Sequence, residues 1–115
     1  MILIPKHRPP TSPGRLLQRF LEDYELTQTR LAELTDMQLQ RINQIVKGKR
    51  AVTPDTALRL SRLFGTTPDL WLNAQLAWDL WHAQREAGVE IEEKVIPLAE
   101  VAATLSRRRR ARTPG

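Results

Sequence analysis

The sequence predicts an all-α protein with five helices in one domain. At 115 residues the chain is long enough for one hydrophobic core and too short for two. Helix start signals recur, because a capping Ser or Thr stands directly before Pro at residues 12–13, 53–54 and 67–68. Apolar residues after these starts follow the spacing of a helix with one buried face.

The first three helices are short and amphipathic. The first is predicted to begin after Ser12 and to carry an apolar stripe composed of Leu16, Leu17, Phe20, Leu21 and Tyr24. The second covers residues 28–34, with Thr27 as its cap and Leu31 and Leu34 turned inward. The third covers residues 38–47, buries Ile42, Ile45 and Val46, and ends at Gly48.

The fourth and fifth helices complete the predicted domain. The fourth covers residues 54–64, ends at Gly65, and offers four apolar side chains to the core: Leu58, Leu60, Leu63 and Phe64. The fifth covers residues 68–87 and ends at Gly88. Its tryptophans form an aromatic stripe, which core packing explains for Trp71.

The C-terminal part is predicted to be less regular. Residues 89–96 alternate apolar and polar side chains in part, which favours a short edge strand. Residues 98–105 fit one more helical piece, and the arginine-rich residues 107–115 fit a disordered, solvated tail. The expected organisation is an N-terminal extension (1–11), the domain (12–88), a C-terminal extension (89–106) and the basic tail (107–115).

Composition and charge limit the function classes. Residues 1–65 carry eleven basic and six acidic side chains, a net +5, whereas residues 66–106 carry two and seven, a net −5. A basic front half favours a nucleic-acid partner, although a membrane surface or an acidic protein would also attract it. With no cysteine and two histidines, the sequence indicates no metal site, cofactor or catalytic residues. We therefore expect a cytoplasmic protein that is not an enzyme and spans no membrane.

Residues 27–50 carry the strongest functional signal, two short helices joined by a tight turn. This is the helix-turn-helix arrangement. The outward side of the second of these helices carries Gln40, Asn43 and Gln44, whose amides suit the major-groove edge of adenine. Residues 38–50 hold four basic side chains and no acid, which suits a helix against phosphates. A solvated polar helix face is the alternative explanation.

The same stretch resembles the Cro/phage-repressor (XRE) helix-turn-helix. A longer series of motifs resembles the HigA (VapI-like) family of addiction-module antitoxins. The series comprises Pro-Gly at 13–14, LTQ at 26–28, RINQIVKGKR at 41–50, TPDTALRL at 53–60, FGTTP at 64–68, WLN at 71–73 and AWDLW at 77–81. The resemblance implies a phage-repressor-like fold and an antitoxin that binds DNA.

The resemblance also implies roles for individual residues. Gln28 matches a phosphate-binding glutamine, and three residues match base-facing positions, namely Leu39, Gln40 and Gln44. Further DNA contacts are expected from Gln38, Arg41, Asn43, Lys47 and Lys49, of which Arg41, Lys47 and Lys49 suit phosphates. The chain departs from the family pattern at three positions: Asp36 replaces the usual turn glycine, Gln38 is a poor helix cap, and Leu39 can contact only a thymine methyl.

The back half suggests protein partners. Trp78 and Trp81 lie beyond the reach of four small helices, so we expect both to be exposed in the single chain. We expect a homodimer to bury them. The resemblance implies a HigB-like ribonuclease toxin as a second partner, and the acidic residues 66–106 would complement a basic toxin. A stand-alone XRE-type repressor without a toxin is the alternative function.

Overall fold

The computed structural model describes residues 8–112, with side chains described as far as residue 109. The described residues form six helices and no strand: α1 (Pro13–Asp23), α2 (Gln28–Thr35), α3 (Leu39–Val46), α4 (Pro54–Phe64), α5 (Pro68–Lys94) and α6 (Leu98–Arg112). The chain divides into two compact units, residues 1–82 and residues 83–115. The prediction of an all-α, phage-repressor-like fold is confirmed, with α1 to α5 as its five predicted helices and α6 as an additional one.

The helix boundaries of the first unit follow local signals. Ser12, Thr27 and Thr53 each accept a hydrogen bond from the backbone N–H three residues ahead, which satisfies one unpaired donor of α1, α2 and α4 respectively. Gly65 ends α4 with φ of 71°, and Gly48 follows α3 with φ of 74°. Both glycines occupy the left-handed conformation that side chains with a Cβ disfavour.

The core of the first unit lies among α1 to α4 and the start of α5. Leu17, Leu31, Ile42, Leu60 and Trp71 are all essentially inaccessible. Trp71 packs against the rings of Phe20 and Phe64 and donates its indole N–H to the Thr66 hydroxyl at 3.1 Å. The core therefore includes Trp71, as its place in the aromatic stripe predicted.

Two leucines predicted to be buried are exposed instead. Leu34 at the end of α2 is 43% exposed, and Leu58 on α4 is 60% exposed. Both line a surface groove between these helices, together with Leu63 and Arg62. The core positions beside them are taken by Leu31 and Leu60, whose side chains lie on the inner faces of the same helices.

The C-terminal predictions need correction. The expected edge strand at 89–96 is wrong, because α5 continues through Gly88 to Lys94. Gly88 lowers helix propensity by only about 1 kcal/mol, and the following Glu and Lys residues favour a helix, with Lys94 bonded to Glu90 at 2.7 Å. The expected disorder of 107–115 is wrong as far as Arg112, which ends α6; residues 113–115, like residues 1–7, lie outside the described part.

Candidate nucleic-acid interface

The turn between α2 and α3 is held by a residue far along the sequence. Asp36 ends α2 in the left-handed conformation, with φ of 53° and ψ of 45°. Arg59 on α4 donates hydrogen bonds to the carbonyl oxygens of Thr35 and Asp36, at 3.0 and 3.1 Å. Asp36 thus occupies the turn position where the family pattern has glycine. The hydrogen bonds from Arg59 stabilise the backbone at this position.

The α3 helix separates a buried face from an outward polar face. Ile42 and Ile45 are almost completely buried. The predicted DNA-contacting side chains lie on the other side, with Gln38, Leu39, Gln40, Lys47 and Lys49 exposed and with Asn43 and Gln44 half-buried. No acidic residue occurs from 37 to 54, so this outward face of α3 offers amides and positive charge to a polyanion.

The beginning of α3 lacks a side-chain cap. Gln38 has extended backbone angles and makes no capping hydrogen bond with its side chain. Its carbonyl oxygen instead accepts from the N–H groups of Arg41 and Ile42, at 3.1 and 3.3 Å. The exposed amide of Gln38 therefore remains available to an external acceptor or donor.

Gln28 joins the start of α2 to the outward face of α3. Its amide oxygen accepts a hydrogen bond from the amide nitrogen of Asn43 at 3.3 Å. Gln28 is also the first residue of α2, beside helix N–H groups that favour an anion. The structure thus brings together the expected phosphate contact and one expected base neighbour.

Arg41 lies in an internal network instead of projecting from the outward face. Its guanidinium donates to the hydroxyls of Thr53 and Thr56 and pairs with Asp55 at 3.2 Å. The side chain is 24% exposed. This arrangement ties α3 to the start of α4, so Arg41 positions the helix, and a phosphate contact from it stays a prediction.

Asp55 joins the two arginines of this network. It accepts from Arg59 at 3.0 Å and pairs with Arg41. The hydrogen bond from Arg59, aided by the nearby charges of both arginines, holds the pKa of Asp55 below its usual value. Sequence inspection missed Asp55, Thr56 and Arg59 as supports of the site. The spacing Asp55–Arg59, four residues apart on one helix, was the available signal.

The C-terminal end of α3 is pressed against the start of α1. A Cβ added at Gly14 would lie 2.7 Å from the Val46 carbonyl oxygen and closer still to that of Ile45. Only glycine permits this approach without displacing backbone. Gly14 therefore sets how closely the start of α1 approaches the end of α3.

The two tryptophans assigned to a dimer differ in exposure. Trp81 is only 9% exposed within the single chain, so its expected exposure is wrong. Trp78 is half-buried, and both indoles stand edge-on to the ring of His82. Their participation in a dimer stays a prediction, for which Trp78 offers the more accessible surface.

Comparisons with known proteins agree with this architecture. The helix-turn-helix family model HTH_3 matches residues 17–71. The chain is 37% identical over 102 residues to the uncharacterised HTH-type transcriptional regulator YbaQ of Escherichia coli K12, covering 88% of each chain. It contains no described helix long and apolar enough to cross a membrane.

Two solved structures extend the match to three dimensions. A HigA-family addiction-module antidote protein from Coxiella burnetii is 38% identical with a TM-score of 0.76, covering 78% of this chain and 99% of that one. Pseudomonas aeruginosa antitoxin HigA, solved with the higBA promoter, is 32% identical with a TM-score of 0.74, covering 77% and 98%. This chain therefore belongs to the HigA family of XRE-type helix-turn-helix proteins.

Proposed function

We propose that the protein is a dimeric repressor that inserts α3 into the major groove of its own operon promoter and neutralises a HigB-like ribonuclease toxin by direct binding. The observation that carries the DNA-binding part is the outward face of α3. This face exposes amides and lysines without an acid, while Ile42 and Ile45 anchor the opposite side of the helix. Such a protein would act in the bacterial cytoplasm and lie on the nucleoid when bound.

The side chains of this face suit distinct contacts. Gln40 and Gln44 have amides that can both donate to and accept from adenine, and Leu39 can cover a thymine methyl. Lys47 and Lys49 follow at the exposed end of α3, where positive charge meets phosphates. Gln28 would contact a phosphate while its oxygen holds Asn43 in place.

A homodimer fits an operator with two half-sites. Recognition helices related by two-fold symmetry must lie about 34 Å apart, or a multiple of one turn, to read an inverted repeat. The half-buried Trp78 of α5 is our candidate for the contact between copies, and the buried Trp81 follows three residues later on the same helix. The Pseudomonas HigA structure, which contains its promoter, supports the DNA-binding part of the proposal.

The toxin part of the proposal is supported by kinship and charge. Related proteins are named antitoxins, including HigA-1 of Vibrio cholerae. Residues 66–106 carry a net charge of −5 that complements a basic toxin. The relative YbaQ is named only as a transcriptional regulator, which favours the second candidate, a stand-alone XRE-type repressor.

Footprinting on the chain's own promoter tests DNA binding. We expect protection of an inverted repeat. Lys47→Ala should weaken binding to all sequences alike and reduce the salt slope by about 1, since one phosphate contact is lost. Gln84→Ala, an exposed change on α5, is the control and should bind as the parent does. Uniform weak binding to every DNA, without a protected repeat, would contradict the repressor function.

Co-expression tests toxin neutralisation. The protein is produced together with the product of the neighbouring gene, and growth is measured. A chain with both Gln40→Ala and Gln44→Ala should lose repression yet still rescue growth, because Ile42, Ile45 and the core are untouched. If the neighbouring product is harmless alone, or if the parent chain never rescues growth, the stand-alone repressor replaces the antitoxin.

A further inference from the structure

The end of α5 and all of the described α6 side chains are uncovered. Every residue from 89 to 109 is exposed. Seven of them are large and apolar: Val89, Ile91, Val95, Ile96, Leu98, Val101 and Leu105. Isolated helices of this length are marginally stable in water, and apolar surface of this extent is typical of an interface. The segment therefore has the properties of one half of an interface.

The apolar residues of α6 form a single stripe. Leu98, Val101 and Leu105 recur at positions i, i+3 and i+7, and they are 80%, 38% and 50% exposed. Ala102 lies between them on the same side, which leaves room for a second helix to approach. This spacing suits a narrow contact with one other helix.

The charges at the two ends of this segment are opposite. Residues 83–97 contain two basic and four acidic side chains, a net −2, whereas residues 98–115 contain five basic and one acidic, a net +4. Four of the five acids precede the apolar stripe, and the arginines of α6 follow it. Two such segments in antiparallel orientation would place each basic end beside the other chain's acidic end.

We propose that α6 pairs with α6 of a second copy of the chain in antiparallel orientation. The two apolar stripes meet around Val101, and Arg108 of one chain, which flanks the stripe, faces Glu92 and Glu93 near the other chain's α5–α6 turn. The same patch serves both copies, as two-fold symmetry requires. This pairing rests on one part of the proposed function, the homodimer. It adds a contact between the copies that is separate from Trp78.

Cysteine cross-linking tests the pairing directly, because the chain contains no cysteine. In the full-length protein, Val101→Cys places a thiol at the centre of the proposed contact. Ala103→Cys, on the opposite side of α6, is the matched control. Mild oxidation should convert Val101→Cys into a disulfide-linked dimer at least about tenfold faster than Ala103→Cys, since only facing thiols meet the geometry of a disulfide. Equal rates, or no cross-link from either, would overturn the proposal.

Two further variants test the orientation. In an antiparallel pair, Leu98 lies opposite Leu105 of the other copy and about 10 Å along the axis from its own equivalent. Leu98→Cys mixed with Leu105→Cys should therefore give more disulfide than either variant alone. If each variant alone cross-links as well as the mixture, the antiparallel arrangement is wrong.

A charge exchange tests the proposed salt bridges by sedimentation. Arg108→Glu should weaken dimerisation by about twofold for one exposed pair. Adding Glu92→Arg or Glu93→Arg in the same chain should restore it. If Arg108→Glu leaves dimerisation unaltered and instead lowers binding to DNA or toxin, the segment serves that partner and the self-pairing is refuted. Loss of operator binding or growth rescue with cross-linking intact would instead refute only the proposed function.

Discussion

The two units of the chain are both helical but differ in whether their apolar side chains are buried. In residues 8–82 each helix turns an apolar stripe toward the others, and Leu17, Leu31, Ile42 and Leu60 are nearly inaccessible. From residue 89 to 109 no side chain is buried. Capping and propensity therefore define where a helix begins and ends, whereas tertiary packing decides whether its apolar face is buried within one chain.

The largest expected difference between the units is the loss in free energy of unfolding caused by truncating one apolar side chain in each. Trp71→Ala removes a fully buried indole that packs on Phe20 and Phe64, so we expect a loss of about 3–5 kcal/mol in the free energy of unfolding. Val89→Ala, at a position 70% exposed, should change it by less than about 0.5 kcal/mol. Denaturant unfolding measures both. Comparable losses would mean that residue 89 is buried in solution by a partner.

The same Gly→Ala change should lower the free energy of unfolding in one unit and raise it in the other. At Gly14 the new methyl would overlap the carbonyl oxygens of Ile45 and Val46, so we expect destabilisation by about 1–3 kcal/mol and weaker operator binding. At Gly88 it would meet only the Gln84 Cβ at 3.9 Å, inside a helix, so we expect stabilisation by about 0.4–1 kcal/mol. Thermal unfolding gives the sign of each change, and stabilisation at Gly14 would refute the tight α1–α3 contact.

The smallest expected effect concerns acid stability. Since Arg59 and Arg41 hold the pKa of Asp55 below its usual value in the folded protein, Asp55 binds its proton more readily when unfolded. Its contribution to stability is present at neutral pH and is lost as pH falls through the lowered pKa. Asp55→Asn should therefore be less stable than the parent at pH 7 and nearly equal near pH 2, by denaturant unfolding. The exposed pair Glu90–Lys94 provides the control, and Glu90→Gln should change stability little at pH 7.

The local features of the fold could be predicted from the sequence, whereas its long-range contacts could not. Ser12, Thr27, Thr53, Gly48 and Gly65 mark helix ends through chemistry confined to a few residues, and the structure agrees at each. The predicted end of α5 at Gly88 was wrong because the sequence does not distinguish a glycine inside a helix from a glycine beyond its end. The backbone conformation distinguishes them, since Gly88 lacks a positive φ.

The supports of the candidate site escaped sequence analysis for a different reason. Arg41 and Arg59 resemble surface cations in the sequence. Arg41 pairs with Asp55, and Arg59 donates to backbone oxygens of the α2–α3 turn 23 and 24 residues away. Leu34 and Leu58 are likewise exposed because Leu31 and Leu60 of the same helices occupy the core. Each outcome is decided by packing between helices, which spacing along one helix does not specify.

Sequence preference of the α3 face tests the central claim most directly. Fluorescence anisotropy would compare the affinity for the operator with that for unrelated DNA at one salt concentration. Gln40→Ala and Gln44→Ala should each cost about 1–3 kcal/mol of discrimination at one base position per half-site, with nonspecific affinity unchanged. Gln84→Ala should leave both affinities unchanged. If Gln40→Ala and Gln44→Ala lowered specific and nonspecific binding equally, or changed neither, α3 would not be the helix that reads the groove.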